Sequence, residues 1–574
     1  MKKLLIFLKN YKKESFLAPL FKMLEAVFEL IVPLVVASII DDGILNNDRS
    51  LILSRCGILV LLAVVGMVAA ITAQYFAAKA ATGFGMELRH ALFEKIQSLS
   101  FSELDKIGTS SLITRINTDS NQVQNGVNLV LRLFLRSPFI VFGAMVMAFT
   151  VDVKNAFIFV GAIPLLSIVV FGIMAYTIPK YRKIQNKLDL ITLKTRENLS
   201  GARVIRAFTQ EQNEIDDFTD KNRFLSHLQK SVGRISALMN PVTYVIINVA
   251  VVLLIHGGAI QVNSGDLTQG EVVALYNYMS QILVELIKLA NLIVTVTKAL
   301  ACATRIEGVL ALENTLEHNA NDEVKSSNAV DFKNVSLKYK GASENSLENI
   351  TFSAEKGSVI GIIGGTGSGK TSLVSLIPHF YDSTQGEVLV NGIDVKAYPD
   401  EELRGKMGFV LQKAALFKGT VRDNLKWGRE EATDEEMLSA LEKAQILDSI
   451  NEKGGLEAEI EQNGSNLSGG QKQRLSVARA LVRKPEILVL DDSTSALDFA
   501  TEAAMRKEIL SLDYAPTVFI VSQRASSVMF ADKIIVLDDG AVAGIGTHNE
   551  LLENCEVYKE IYDSQFGEED TYEE

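Results

Sequence analysis

The sequence predicts a two-part membrane protein: an all-α domain of six spanning helices, followed by an α/β domain built around a phosphate-binding loop. Three observations carry this. Apolar residues make up 48% of the 574 and are clumped, nearly all the long runs lying before residue 305. Beyond about residue 329, short β-rich runs such as SVIGIIG and TVFIVS alternate with helical ones, the pattern of an α/β domain. Gly364–Thr371 reads GGTGSGKT and stands between an apolar strand and a helical run. The expected divisions are a membrane domain over 1–305, a linker over 306–328 and the α/β domain over 329–574. A net charge of −12 argues against a nucleic-acid partner, which needs a basic face. Cys56, Cys302 and Cys555 lie too far apart for a zinc site.

A bilayer crossing needs about 20 mainly apolar residues. Six segments supply them, near 16–40, 56–78, 128–150, 156–178, 236–260 and 271–297. The start MKKLLIFLKNYKKES lacks a small-residue cleavage site and suits an interfacial amphipathic helix better than a signal peptide. Lysine and arginine are plentiful in the N-terminus and in the connections 79–127 and 180–234. The other three loops hold only Arg49 and Lys154. By the positive-inside rule both termini and the two long connections are cytoplasmic. The long connections keep helical periodicity. They read as spanning helices that run on for roughly 35–40 Å and turn back near 108–115 and 200–208, where something must dock. Charges inside the spans admit two readings. Glu29 and Glu285 could attract cationic amphiphiles in a cavity. Equally, Lys22 with Glu25 and Glu285 with Lys288 could be ion pairs that hold helices together.

The phosphate-binding loop has a physical logic. Gly364, Gly365, Gly367 and Gly369, with Thr366 and Ser368, let backbone N–H groups curl around phosphate oxygens at a helix N-terminus. Lys370 would bridge the outer phosphates, and Thr371 would offer its hydroxyl to Mg²⁺, with Ser372 beside it. Asp491 ends the buried strand ILVLDD, placed to hold Mg²⁺. The expected ligands are therefore ATP and Mg²⁺.

Leu467-Ser468-Gly469-Gly470-Gln471, about twenty residues before that strand, completes a pattern that resembles the ATP-binding cassette exporters, as one half-transporter. The resemblance covers nearly the whole chain. It implies that Tyr339 stacks on adenine and that Gln412 links Mg²⁺ to the membrane domain. It implies that Asp498, in SALD, communicates between cassettes. Two cassettes would face head to tail, so that Ser468, Gly469, Gly470 and Gln471 reach the ATP held by the partner's phosphate loop.

Two positions depart from the family pattern. Asp492 stands where Glu usually orients the attacking water, and its carboxylate falls about 1.5 Å short. Gln523 stands where His usually meets the γ-phosphate, and glutamine cannot become cationic. With Gln412, these are the expected catalytic positions, and the two departures imply a slow site. An intact signature beside an impaired site implies a heterodimer, as in bacterial heterodimeric multidrug exporters. The expected partner is a homologous half-transporter with Glu and His. The expected cargo is small amphipathic compounds, and the expected location a bacterial cell membrane, crossed several times. The alternatives are a homodimeric lipid or peptide exporter, or an ATP-gated regulatory membrane protein.

Overall fold

The computed structural model describes residues 3–313, 316 and 327–566. Most of the linker segment and the acidic tail 567–574 lie outside the described residues. The chain forms two compact units: Met1–Ser98 with Gly108–Leu312, and Leu99–Ile107 with Glu313–Glu574.

The first unit is all helical. Its elements are α1 (Lys12–Ser38), α2 (Arg49–Gln97), then, beyond α3 (Phe101–Ile107) of the second unit, α4 (Thr109–Thr114), α5 (Ser120–Leu133), α6 (Arg136–Val151), α7 (Val153–Ser200), α8 (Ala202–Ala207), α9 (Glu211–Ala237), α10 (Met239–Ser264) and α11 (Gln269–Leu310). They compose six helical stretches long and apolar enough to cross a membrane, as the sequence predicts. With 49 residues, α2 is about 74 Å long, more than twice the thickness of a bilayer core. Side-chain oxygens mark the starts: Asp48 caps α2, Asp152 caps α7, and Thr268 forms a capping box with Glu271 on α11.

Small residues let these helices approach closely. On α2, Ala69, Ala73, Ala77 and Ala80 form a buried stripe, while Val60, Leu61, Met67 and Ile71 face outward as lipid-facing side chains would. The break between α5 and α6 is the work of Pro138, which cannot donate to the carbonyl of Phe134 and whose ring crowds the preceding turn. The expected reversal near 200–208 is where α7 gives way to α8. The other expected reversal, near 108–115, lies earlier, at Ser98–Gly108. There Ser100-x-x-Glu103 starts a fresh helix, the Ser100 hydroxyl hydrogen-bonding the Glu103 carboxylate.

The second unit is α/β. Its strands are β1 (Asn328–Leu337), β2 (Leu347–Glu355), β3 (Val359–Gly364), β4 (Gln385–Val390), β5 (Ile393–Asp394), β6 (Met407–Val410), β7 (Gly419–Thr420), β8 (Glu459–Ile460), β9 (Ile487–Asp491), β10 (Thr517–Ser522), β11 (Lys533–Asp538) and β12 (Ala541–Gly546). The main sheet has the order β12-β11-β3-β10-β9-β6, parallel from β11 to β6, with β12 as antiparallel edge. A second, antiparallel sheet has the order β2-β1-β4-β5. Every residue of β3, β9 and β10 is buried, which is why these strands read as unbroken apolar runs. The helices are α12 (Lys370–Ser375), α13 (Asp400–Gly405), α14 (Val421–Lys426), α15 (Asp434–Lys443), α16 (Leu447–Asn451), α17 (Gly469–Val482), α18 (Phe499–Leu510), α19 (His548–Asn554) and α20 (Glu556–Phe566).

Candidate nucleotide-binding site

Parallel strands aim their carboxyl ends the same way, so loops after neighbouring strands converge. The phosphate-binding loop follows β3, Asp491 ends β9, Gln412 follows β6 and Gln523 follows β10. These four strands are consecutive in the sheet. Their loops enclose a cavity of about 700 Å³, lined by Thr366, Gly367, Gly369, Lys370, Thr371 and Ser372, and by Gln412, Asp491, Asp492 and Gln523. Gly364, Gly365 and Ser368 are not part of this lining. Gly369 caps α12 at φ 92, and a Cβ there would strike the carbonyl of Ser346.

Lys370 Nζ donates to the carbonyls of Gly364 and Gly365 at 2.8 and 2.5 Å, and burial pushes its pKa down against the pull of Asp492 and Asp491. Thr371 Oγ1 donates to Asp491 Oδ1 at 3.0 Å. Burial pushes the Asp491 carboxyl up. Thr371, Asp491 and Gln412 offer oxygen donors at one end of the cavity, a set that suits a hard cation such as Mg²⁺. When bound, that ion would neutralise phosphate charge. Gln412 Nε2 donates to Asp492 Oδ2 at 3.0 Å. Asp492 itself sits in the left-handed region at φ 45, where Asp is accommodated more readily than most side chains. Gln523 Oε1 accepts from Thr366 Oγ1 at 3.4 Å, a long contact across the cavity mouth.

Other expected residues stand apart from this cavity. Tyr339 is half-buried, its hydroxyl 2.9 Å from Ser372 Oγ and its ring edge-on to Tyr381 at 5.1 Å. Tyr381 donates to Asp105 at 2.7 Å, and Phe101 packs on Phe380 at 4.5 Å, so α3 is seated on this aromatic group. Ser468 and Gln471 form a capping box that starts α17, Ser468 Oγ accepting from Gln471 N and Gln471 Oε1 accepting from Ser468 N. Ser468 and Gly469 are exposed, and a Cβ on Gly470 would come to 3.2 Å from Ala496 O. Asp498 caps α18 through Thr501 N, which holds its carboxyl below the usual range.

Sequence reasoning missed part of the lining. Gly341–Ser346 and Asp539-Gly540 close the cavity's far side. The signal for the second was present: Asp-Gly between two apolar runs marks a tight hairpin, and both residues take positive φ, 41 and 82.

In the first unit, the charges near Glu285 form one network. Arg136 donates to Glu285 Oε1 at 2.7 Å and Glu29 Oε2 at 2.6 Å. Lys288 and Ser137 also donate to Glu285, and Lys22 pairs with Glu25. Glu285 is 2% exposed with both oxygens engaged, so it does not present the open carboxylate expected of a cavity wall. Glu29 keeps part of its carboxylate exposed.

A phosphate-binding loop, an acid-tipped neighbouring strand and an SxxQ-capped helix, joined to six spanning helices, define an ATP-driven membrane transporter. The chain belongs to the ABC transporter family. A model of the ABC transporter transmembrane region matches residues 15–286, and the model described as ABC transporter matches 347–495. The chain is 36% identical over 570 residues to the uncharacterized ABC transporter ATP-binding protein YfiB of Bacillus subtilis, covering 99% of each. It is 31% identical to the putative multidrug export ATP-binding/permease protein YgaD of the same organism, covering 98% of this chain and 99% of that one. A bacterial Atm1-family ABC exporter with ATP bound has the same fold, with a TM-score of 0.81 over 97% of this chain and 99% of that one, at 22% identity.

Proposed function

We propose that this chain is one half of a heterodimeric multidrug exporter, in which its own ATP site hydrolyses slowly and its signature completes the partner's site. The observation that carries this reading is the pair Asp492 and Gln523 at the cavity. A general base must come within roughly 2.6–3.2 Å of its water. Asp492 is one methylene shorter than Glu, and one of its oxygens accepts from Gln412. Gln523 brings a neutral amide to the phosphate end. Meanwhile Ser468 and Gly469 face outward at the start of α17, a helix N-terminus suited to an anion held by a second chain. Thr371, Asp491 and Gln412 would hold Mg²⁺, Lys370 the outer phosphates, and Tyr339, after a rotation away from Ser372, the base.

In this reading the membrane domain, 1–305, is inserted in a bacterial cell membrane with both termini and the cassette, 329–574, on the cytoplasmic side. The cargo is small and amphipathic, in keeping with the likeness to YgaD, a putative multidrug export protein. Glu29, rather than Glu285, is the carboxylate that can meet a cationic cargo. The test is steady-state hydrolysis by the purified chain, alone and with a homologous half-transporter carrying Glu and His. Low turnover alone and a large gain with the partner is the expected result; robust turnover by a homodimer would sink the reading.

A further inference from the structure

Helix α20 ends against the loop that carries Gln523. Tyr558, Ile561, Tyr562 and Gln565 fall on one face by the 3.6-residue period. Tyr558 is fully buried, its hydroxyl 2.7 Å from His548 Nδ1, and Ile561 and Tyr562 pack on the core of the cassette. That anchorage delivers the next residue of the stripe, Gln565, to a defined place. Its Oε1 accepts from Ala525 N at 2.8 Å, and its Nε2 donates to the carbonyl of Gln523 at 2.9 Å. One amide thus satisfies a backbone donor and a backbone acceptor two residues apart. Ser522 Oγ takes the N–H between them, that of Arg524, at 3.0 Å. Every backbone polar group from the Gln523 carbonyl to the Ala525 N–H that these side chains can reach is held. From this held stretch of backbone the exposed Gln523 side chain extends toward the phosphate-binding loop, its Oε1 accepting from Thr366 Oγ1.

We infer that Gln565 is a positioning residue for the nucleotide site. By clamping the backbone on both sides of Arg524, it sets the Gln523 amide where the terminal phosphate of ATP would lie. The consequence is discrimination between nucleoside tri- and diphosphate, because only the triphosphate reaches that place. The clamp does not touch nucleotide, so its removal leaves the base, the inner phosphates and Lys370 as they are. This inference rests on the cavity being the ATP site, and it is independent of how fast that site hydrolyses.

The test measures affinity of the purified full chain for fluorescent mant-ATP and mant-ADP. Gln565→Met keeps the length and removes both hydrogen bonds. The expected result is a fall in the ATP-to-ADP affinity ratio of about three- to tenfold, the net worth of one ordinary hydrogen bond, with ADP affinity unchanged. Gln523→Ala should lower the ratio likewise, and the two changes together should lower it no further. Gln565→Glu, which can still accept from Ala525 N but cannot donate while ionised, should behave as Met does. Equal losses for ATP and ADP would mark a merely structural role and overturn the inference. So would an unchanged ratio in Gln565→Met, or additive losses in the double variant. Failure of the unmodified chain to bind either nucleotide would instead remove the ATP-site assignment beneath it.

Discussion

At Asp492 side-chain length and backbone conformation pull in opposite directions. The carboxylate is one methylene shorter than that of Glu, but the backbone occupies φ 45, a conformation that Asp tolerates and that costs most longer L side chains roughly 1–2 kcal/mol. Asp492→Glu therefore lengthens the side chain at some expense in backbone strain and leaves Gln523 neutral. Single-turnover hydrolysis of ATP bound to this chain should rise less than about tenfold in Asp492→Glu, and further when Gln523→His is added. Full turnover from the first change alone would show that side-chain length was the whole defect. Most of this site is legible in the sequence, because glycines, Lys370 and the strand-ending Asp491 are read from local pattern. The Gln565 clamp is not, since no motif links a helix-end glutamine to a loop some forty residues earlier. Nor was the contact of Gln412 with Asp492, which depends on two strands being neighbours in the sheet.

Among elements, α6 shows how a local signal acquires a remote partner. Pro138 explains why the helix restarts at Arg136 and is visible in the sequence. What the restart achieves is not visible, because Glu285 lies 149 positions away. Three acids, Glu25, Glu29 and Glu285, and two lysines of the network stand out in the sequence, but Arg136, the group that ties α1, α6 and α11 together, lies inside the expected span 128–150 with no local partner to mark it. Removing one partner of a buried pair leaves the other charge uncompensated. Arg136→Ala should destabilise the membrane unit by about 3–5 kcal/mol, seen as an earlier melting transition in detergent. Arg136→Lys should recover only part of this, because an ammonium lacks the planar fork that reaches Glu29 and Glu285 at once. Wild-type melting in Arg136→Ala would mean that water enters the cluster and screens it.

At the scale of the whole molecule, the fold class and the six crossings follow from the sequence, since hydropathy and strand–helix alternation survive any detail of packing. Pairing of cassettes is a relation between chains: the resemblance implies it, and Asp492 and Gln523 bear only on whether the two chains differ. Its sharpest consequence concerns Gly470, whose missing side chain leaves 3.2 Å to Ala496 O. Gly470→Asp should abolish steady-state hydrolysis by the assembled pair, a loss of at least about a hundredfold, while nucleotide crosslinking to this chain's own phosphate-binding loop persists. Loss of that crosslinking would reverse the assignment. The seat of α3 has a bearing on how the molecule is made. Asp105 leaves the ribosome 276 residues ahead of Tyr381, the residue it accepts a hydrogen bond from. At roughly 5–20 residues per second, it waits about 14–55 s for that partner. During synthesis α3 is thus finished and held in the chain before the residues it covers exist, and a segment 329–574 made without it would be born with Phe380 and Tyr381 uncovered.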